Sequence, residues 1–374
     1  MKLLHTSDLH LGKTIAAIPM LEEQKDMLFG QIIPIIEEER PDAILISGDV
    51  FDRSNPSAEA LAVFDEFISA LAGLPFKTEV FVISGNHDGA ERIAYGSRIL
   101  GRSGLHMSPV YDGTIIPFTM TDEFGEVDVY MLPFVKKATV KYFFPDAGID
   151  SENDSVAQAV KAMGIDPERR CVCLAHQFVS GAATAGSEET CIGGLDSVDP
   201  GAFAGIDYVA LGHIHGKQSI TPSIRYSGSP LKYSFSEVND HKSVSIVELR
   251  SKGDVQVREI PLIPKNDWFD IRGTFEELTS REYRDAHPEL EEGYVRVTLT
   301  DEDDIVNGYK SLQAVFHNMM ELHYDNARTR ALGITGESGD ASKKSDEELI
   351  LELFRIQNGR EMDEEELQYI RKFI

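Results

Sequence analysis

Five segments of the chain share one design: a short apolar run that ends in a polar cluster. They are Leu3-Leu4-His5-Thr6, Ala43-Ile44-Leu45-Ile46, Val80-Phe81-Val82-Ile83, Cys171-Val172-Cys173-Leu174 and Tyr208-Val209-Ala210-Leu211. Runs of this length without polar alternation predict strands buried on both faces. Apolar positions at helical spacing fill the intervals between the first three, over about 20–39 and 57–71. Strand–helix alternation predicts a layered α/β domain with right-handed crossovers. Ligands of such sheets gather at the carboxyl ends of strands, and every polar cluster falls at such an end.

The period then changes. Ser243-Val244-Ser245-Ile246-Val247 and Val255-Gln256-Val257-Arg258-Glu259-Ile260 alternate with period two. This predicts half-exposed strands that close the second sheet of a sandwich. The stretch 261–266 holds Pro261 and Pro264 and marks a boundary. A smaller α/β unit follows. Val295, Val297 and Leu299 alternate with Arg296 and Thr298, and Ile305, Tyr309, Leu312, Phe316, Met319 and Met320 recur at helical spacing. Residues 336–344 are small and polar, which predicts a linker. Two short helices are predicted over 345–374. Ser345 and Glu348 open the first, Asn358-Gly359 stops it, and Asp363 caps the second. Leu349, Ile350, Leu353, Phe354, Leu367 and Ile370 are more apolar surface than two short helices bury alone, so they are expected to dock on this chain or on a partner.

Apolar residues make up 42% and charged residues 26% of the 374, an ordinary soluble composition. No apolar run approaches the ~20 residues that span a bilayer, so no membrane association is expected. The start, Met1-Lys2-Leu3-Leu4-His5, lacks the features of a secretory signal. Three cysteines cannot build a disulfide framework. Cys171 and Cys173 are expected to pack in a core, and a reducing cytoplasm fits. The net charge of −27 counts against a protein that coats nucleic acid unaided, because neutralising phosphate needs Lys and Arg. It does not exclude a nuclease whose cations supply local positive charge.

The polar clusters are Asp8-Leu9-His10, Gly48-Asp49-Val50-Phe51-Asp52, Gly85-Asn86-His87-Asp88, His176-Gln177 and Gly212-His213-Ile214-His215. Carboxylate, imidazole and amide oxygen without thiolate suit Mn²⁺, Fe or Zn²⁺. Asp8 and His10 are two apart at a strand end, as are His213 and His215, so each pair could face one ion. A carboxylate bridging two ions ~3.5–4 Å apart would let them clamp both the attacking and the leaving oxygen of a phosphate. Singly, an Asp-x-His or a Gly-Asp is an ordinary turn. The weight lies in five of the eleven histidines standing directly after apolar runs, beside Asp and Asn.

Together the five clusters resemble the motif set of the calcineurin-like metallophosphoesterases, over about residues 1–260. More narrowly, Asp8-Leu9-His10-Leu11-Gly12-Lys13 and Tyr226-Ser227-Gly228-Ser229-Pro230-Leu231 are similar to the SbcD family of bacterial nuclease subunits. The resemblance implies an α/β fold: a two-sheet β-sandwich flanked by helices over 1–262, a smaller α/β capping domain over 266–335, and a two-helix partner-binding segment over 345–374. It implies that Asp8, His10, Asp49 and His215 hold one ion and Asp49, Asn86, His176 and His213 the other, with Asp49 bridging. His87 would be the acid at the leaving oxygen, and Asp88 would orient it.

Asp52 stands where many archaeal and eukaryotic members carry a histidine. With Arg53 it also resembles a pattern of protein phosphatases in the same superfamily, and it is expected to support a histidine or backbone. The family further implies two divalent ions, Mn²⁺, and DNA as substrate. It implies 3′-to-5′ exonuclease action on duplex ends and endonuclease action on single strands or hairpins. The ATPase SbcC would be the partner in DNA repair and recombination, and a homodimer would form through helices near 57–71 and 91–101. Lys136, Lys137 and Lys141, interleaved with Phe134, Tyr142 and Phe143, are a local candidate for strand contact. The rival substrate is a small phosphodiester or a phosphoprotein, for which the appended domain and helices have no use. A non-catalytic scaffold would show a degenerate site, and none of the clusters is degenerate.

Overall fold

Each apolar run divides its side chains between two cores. In the computed structural model, Leu3, Leu45, Phe81, Val172, Leu174, Tyr208 and Ala210 fill the space between two sheets. Their strand neighbours Leu4, Ile44, Ile46, Val80 and Val82 pack under helices on one outer side. Cys171, Cys173, Ala175, Val209 and Leu211 do so on the other. Side chains alternate across a strand, so a strand with a core on each face has no solvent side to mark with polar residues. The described residues are 1–95, 97–184, 197–303, 305–331 and isolated positions from 350 to 367. They divide into two units, Met1–Trp268 and Phe269–Ile374.

In the first unit one sheet runs Val255–Pro261, Ser243–Leu249, Lys2–Thr6, Ala43–Ser47, Glu79–Ile83, Leu105–Ser108. The other runs Gln218–Thr221, Ile224–Tyr226, Tyr208–Gly212, Arg170–His176, Gly125–Leu132, Phe118–Asp122. The central strands of each are parallel. Their carboxyl ends meet at one rim, where Ser47 Oγ donates to Ala210 O at 2.9 Å across the sheets.

One expectation is corrected here. Ser243–Leu249 joins the first sheet antiparallel to Lys2–Thr6, Val255–Pro261 adds antiparallel to Ser243–Leu249 at its edge, and neither closes the second sheet. Ser243–Leu249 is also buried almost throughout. Ser245 mimics a solvent-facing residue although it is buried, because its Oγ accepts from the buried Arg225 Nε at 3.1 Å.

The helix expected over 20–39 forms, with a defect. Leu21–Met27 and Ile33–Glu39 are α-helical, and a π turn over Leu28–Ile32 joins them. Pro34, just inside the second segment, lacks an N–H and clashes with the carbonyl four residues back; the wider turn relieves both. The next helix, Ala58–Ala72, is capped by Ser57 and buries Ala60, Val63, Phe64, Phe67 and Leu71 against its own sheet. The apolar stripe of this helix is thus intramolecular core.

The sheet of the second unit is formed, in order, by Trp268–Gly273, which starts at the last residue of the first unit, Tyr294–Leu299 and Asn318–Tyr324. The helix expected to run to Met320 covers only Gly308–Gln313, and Met319 and Met320 lie in a strand. The register shifts between Val295 and Arg296, which sets Met320 into a bulge. Both methionines are therefore buried in succession, which breaks the period-two signature. The linker at 336–344 and the helices at 345–374 fall almost wholly outside the described residues, as does Cys191; Cys171 and Cys173 are buried free thiols. Among the described residues no helix is long and apolar enough to cross a membrane.

A part-buried ion pair ties the sheet edges together. The Arg170 guanidinium holds Asp122 and donates to the carbonyls of Gly125 at 2.7 Å and Arg250 at 2.6 Å. Burial pushes the Asp122 carboxyl up, but the Arg170 hydrogen bonds outweigh it and hold the group below the usual carboxylate range. A depressed carboxyl stabilises fully above its unfolded pKa of about 3.9, and the effect is lost as pH falls towards the native value. Asp122→Asn is expected to cost roughly 2 kcal/mol near neutral pH, since Arg170 keeps its carbonyl partners. Urea denaturation at pH 7 and pH 3 checks it: the gap between the proteins should narrow at pH 3.

Candidate metal centre

The polar clusters continue the parallel strands as paired loops. Asp8 N donates to Gly48 O at 3.0 Å, His10 N to Asp49 O at 2.9 Å and Leu11 N to Val50 O at 2.9 Å. Here the backbone turns sharply. Asp8, His10, Asp49 and His213 have φ of 54°, 45°, 49° and 99°. Such positions cost a non-glycine residue about 1–3 kcal/mol each, and they persist where the surroundings over-determine them. Two glycines make the close approach possible. A Cβ on Gly85 would lie 2.1 Å from Asp49 Oδ1, and one on Gly212 would lie 2.0 Å from Ser47 O.

All nine residues singled out from the sequence converge on this rim. Asp49 Oδ2 lies 3.3 Å from His176 Nε2 and 3.6 Å from His10 Nε2. Its Oδ1 accepts from His87 N at 2.9 Å. Asn86 Oδ1 sits 3.0 Å from His176 Nε2 and 2.9 Å from His213 Nδ1. His10 Nε2 faces His215 Nε2 at 3.1 Å. Asp8 Oδ1 accepts from His213 N at 2.9 Å. Three groups, Asp8 with His10 and His215, Asp8 with Asp49 and His176, and His10 with Asp49 and His87, each keep their ligand atoms within 4.8 Å of one another.

The partners behind these side chains fix their orientation. His176 Nδ1 donates to Ser47 O at 2.8 Å, so the neutral ring carries its Nε2 lone pair on the Asp49 side. His215 Nδ1 is 3.3 Å from the fully buried Glu237 Oε1. Lys242, also buried, joins Glu237 at 2.5 Å and reaches His215 O at 2.9 Å and Ser229 Oγ at 3.1 Å. Gln24 Nε2 donates to His10 O at 2.7 Å and Leu9 O at 3.1 Å. Tyr233 Oη also donates to Leu9 O. Asp52 O accepts from His87 Nδ1 at 3.0 Å, and its Oδ1 lies 2.7 Å from Lys13 Nζ and 3.7 Å from His10 Nδ1.

The expectation that Asp88 orients His87 is corrected. The Asp88 carboxylate accepts from the backbone amides of Val50, Phe51 and Gly85 at 3.1, 2.9 and 2.9 Å. It ties the loop of Asp49 to the loop of Asn86, and the carbonyl of Asp52 takes the ring of His87. Glu237, Lys242, Gln24 and Tyr233 were not singled out from the sequence. No strand-end signal marks them, because each reaches the rim from an element distant in the chain.

The donor set fits divalent cations. Ligands must present lone pairs. Burial holds His10 well below its ordinary pKa, and burial, then the neighbouring His176, holds His213 at about 3, so both rings are neutral. Burial opposes protonation of His176 as well, but Asp49 and Asp8 outweigh it and raise the ring to about 9. Positive charge is what this position attracts. His10 Nδ1 is a buried atom without a hydrogen-bond partner among the described residues. If the two Nε2 lone pairs of His10 and His215 held a cation, the His10 proton would lie on Nδ1, the side of the Asp52 carboxylate.

This fold and rim are those of a metal-dependent phosphoesterase. Residues 1–217 match the calcineurin-like phosphoesterase family, and the chain belongs to it. Over 326 residues the chain is 33% identical to the SbcD subunit of the nuclease SbcCD from Staphylococcus epidermidis (strain ATCC 12228 / FDA PCI 1200), covering 86% of this chain and 85% of that protein.

Proposed function

We propose that the chain is a two-metal DNA nuclease. The observation that carries the reading is the placement of Asp49 Oδ2 between His176 Nε2 and His10 Nε2, at 3.3 and 3.6 Å. Asp8, His10, Asp49 and His215 would hold one ion, and Asp49, Asn86, His176 and His213 the other. Two divalent cations there would lower the pKa of a bound water and neutralise charge on the phosphoryl oxygens. The chain's own residues do the rest. Glu237 keeps the His215 proton on Nδ1, and Ser47 O does the same for His176. His87, which donates Nδ1–H to Asp52 O, would as the imidazolium give its Nε2 proton to the leaving oxygen and be left as the neutral ring. Asp88 keeps the two loops in register.

The similarity to a nuclease subunit extends past the first unit, which favours a polymer substrate over a small one. Duplex ends would be cut 3′ to 5′ and single strands or hairpins internally, with Mn²⁺ and with the ATPase SbcC bound through residues 345–374. Tyr95, 89% exposed after the short helix Ala90–Ile93, is a candidate for a homodimer contact. Labelled hairpin DNA and an aryl phosphodiester, each with Mn²⁺, test the reading. The hairpin should be cleaved. His87→Ala should lower that rate by about 10²–10⁴ while elemental analysis still finds the ions. Cleavage of the aryl diester alone, even with SbcC and ATP present, would reject the nuclease.

A further inference from the structure

An apolar wall stands beside the metal centre, on the side of His213 and His176. Phe134 is half-buried; its ring lies nearly parallel to that of His213, at 15° and 6.5 Å, and edge-on to His176 at 6.2 Å. Phe178, also half-buried, approaches His213 at 6.5 Å. The wall is tied to the site loops. Phe134 N donates to Ser84 O at 2.9 Å, just before Gly85-Asn86, and Gln177 Nε2, just after His176, donates to Val135 O at 3.2 Å.

A cation stands over this wall. Lys136 Nζ lies 6.0 Å from the centre of the Phe134 ring, and Lys136 is exposed. Its two neighbours on the helix Lys137–Phe143 are engaged elsewhere. Lys137 Nζ donates to Asp150 O at 3.1 Å, and Lys141 Nζ donates to Ile149 O at 3.0 Å with Asp150 Oδ1 3.6 Å away. Lys136 has no carboxylate partner among the described residues. In a chain of net charge −27 an unengaged ammonium beside a phosphoesterase centre is a position suited to phosphate.

We propose that Phe134, Phe178 and Lys136 form the subsite for the nucleotide flanking the scissile linkage, with the base against the Phe134 ring and its phosphate at Lys136 Nζ. The subsite rests on the nuclease reading and adds what recognises the strand. An aromatic face is sequence-tolerant, because every base has a π-face. Lys136 supplies charge without a base code. The simpler role for the wall is a water shield, which would act on every substrate alike.

The experiment uses the whole chain with Mn²⁺. Its substrates are a labelled single-stranded oligonucleotide with one defined scissile linkage, the same strand lacking the base on the flanking nucleotide, and an aryl phosphodiester. Phe134→Leu keeps the apolar bulk and should raise KM on the intact strand about tenfold, with little change on the abasic strand. Phe134→Tyr should restore the intact-strand value. Lys136→Ala should flatten the dependence of log KM on log salt by about 0.7. If Phe134→Leu impairs the intact and abasic strands equally, the wall is a shield and the subsite is refuted. A wild-type salt slope for Lys136→Ala refutes the phosphate contact. If the wild-type chain cleaves the aryl diester but neither strand, the nuclease reading itself has failed.

Discussion

Gly85→Ala should lower phosphodiester hydrolysis by about a hundredfold or more while the fold survives. The added Cβ has no room: it would sit 2.1 Å from Asp49 Oδ1, 2.6 Å from Asp49 Cγ and 2.5 Å from Asp49 N. Two of those contacts are with the carboxylate between His176 and His10 and the third is with its backbone, so relief must swing that carboxylate away and shift the Asp49 loop with it. The hydrogen bond from His87 N to Asp49 Oδ1 goes with it. One methyl group would thereby disturb the bridge and the acid together, though Gly85 touches neither substrate nor ion. Asp49→Asn separates the causes, since it keeps an oxygen for His87 N and removes the charge. Steady-state kinetics with isothermal metal titration measures both. Turnover within about threefold of wild type for Gly85→Ala would show that Asp49 does not bridge.

The second large effect lies below the rim. Glu237 is fully buried, against His215 Nδ1 at 3.3 Å and Lys242 Nζ at 2.5 Å. Glu237→Ala would leave the buried Lys242 with only the more distant Asp240 carboxylate, 3.5 Å away, a loss of about 3 kcal/mol. Glu237→Gln keeps the shape but weakens the acceptor behind His215, and metal affinity should fall about 10–100-fold. Burial pushes the Glu237 carboxyl up, but His215 and Lys242 outweigh it and hold it at about 2. Its stabilisation is therefore complete above the unfolded pKa of about 4.3 and is lost as pH falls through the native value. Stability of the wild-type apoprotein should decline between about pH 5 and pH 2, and the Glu237→Gln curve should be flatter there. Equal slopes, with unchanged metal affinity, would show that Glu237 is filler rather than support.

Much of the site was legible because both of its signals are local. A strand buried on two faces must be written as a continuous apolar run, and its polar continuation names the loop at its end. The same logic failed where burial was bought with polar atoms or broken by a bulge. Ser245 passed for part of a solvent face because the buried Arg225 meets its hydroxyl. Met319 and Met320 passed for a helix because the bulge at Met320 turns two successive side chains inward.

The residue types and spacings thus determined by themselves that an α/β sandwich carries carboxylates, imidazoles and an amide at its strand ends, and that these can bind cations. Which atoms face one another was decided only by the fold. The hydrogen bonds that choose each tautomer run between positions as distant as Ser47 and His176, or His215 and Glu237. The same holds for Asp88, whose sequence neighbour His87 is held by Asp52, while Asp88 itself binds the amides of Val50 and Phe51. Adjacency along the chain fixes where a side chain starts. Its partner is set by the approach of backbone segments, which depends on the packing of both sheets at once.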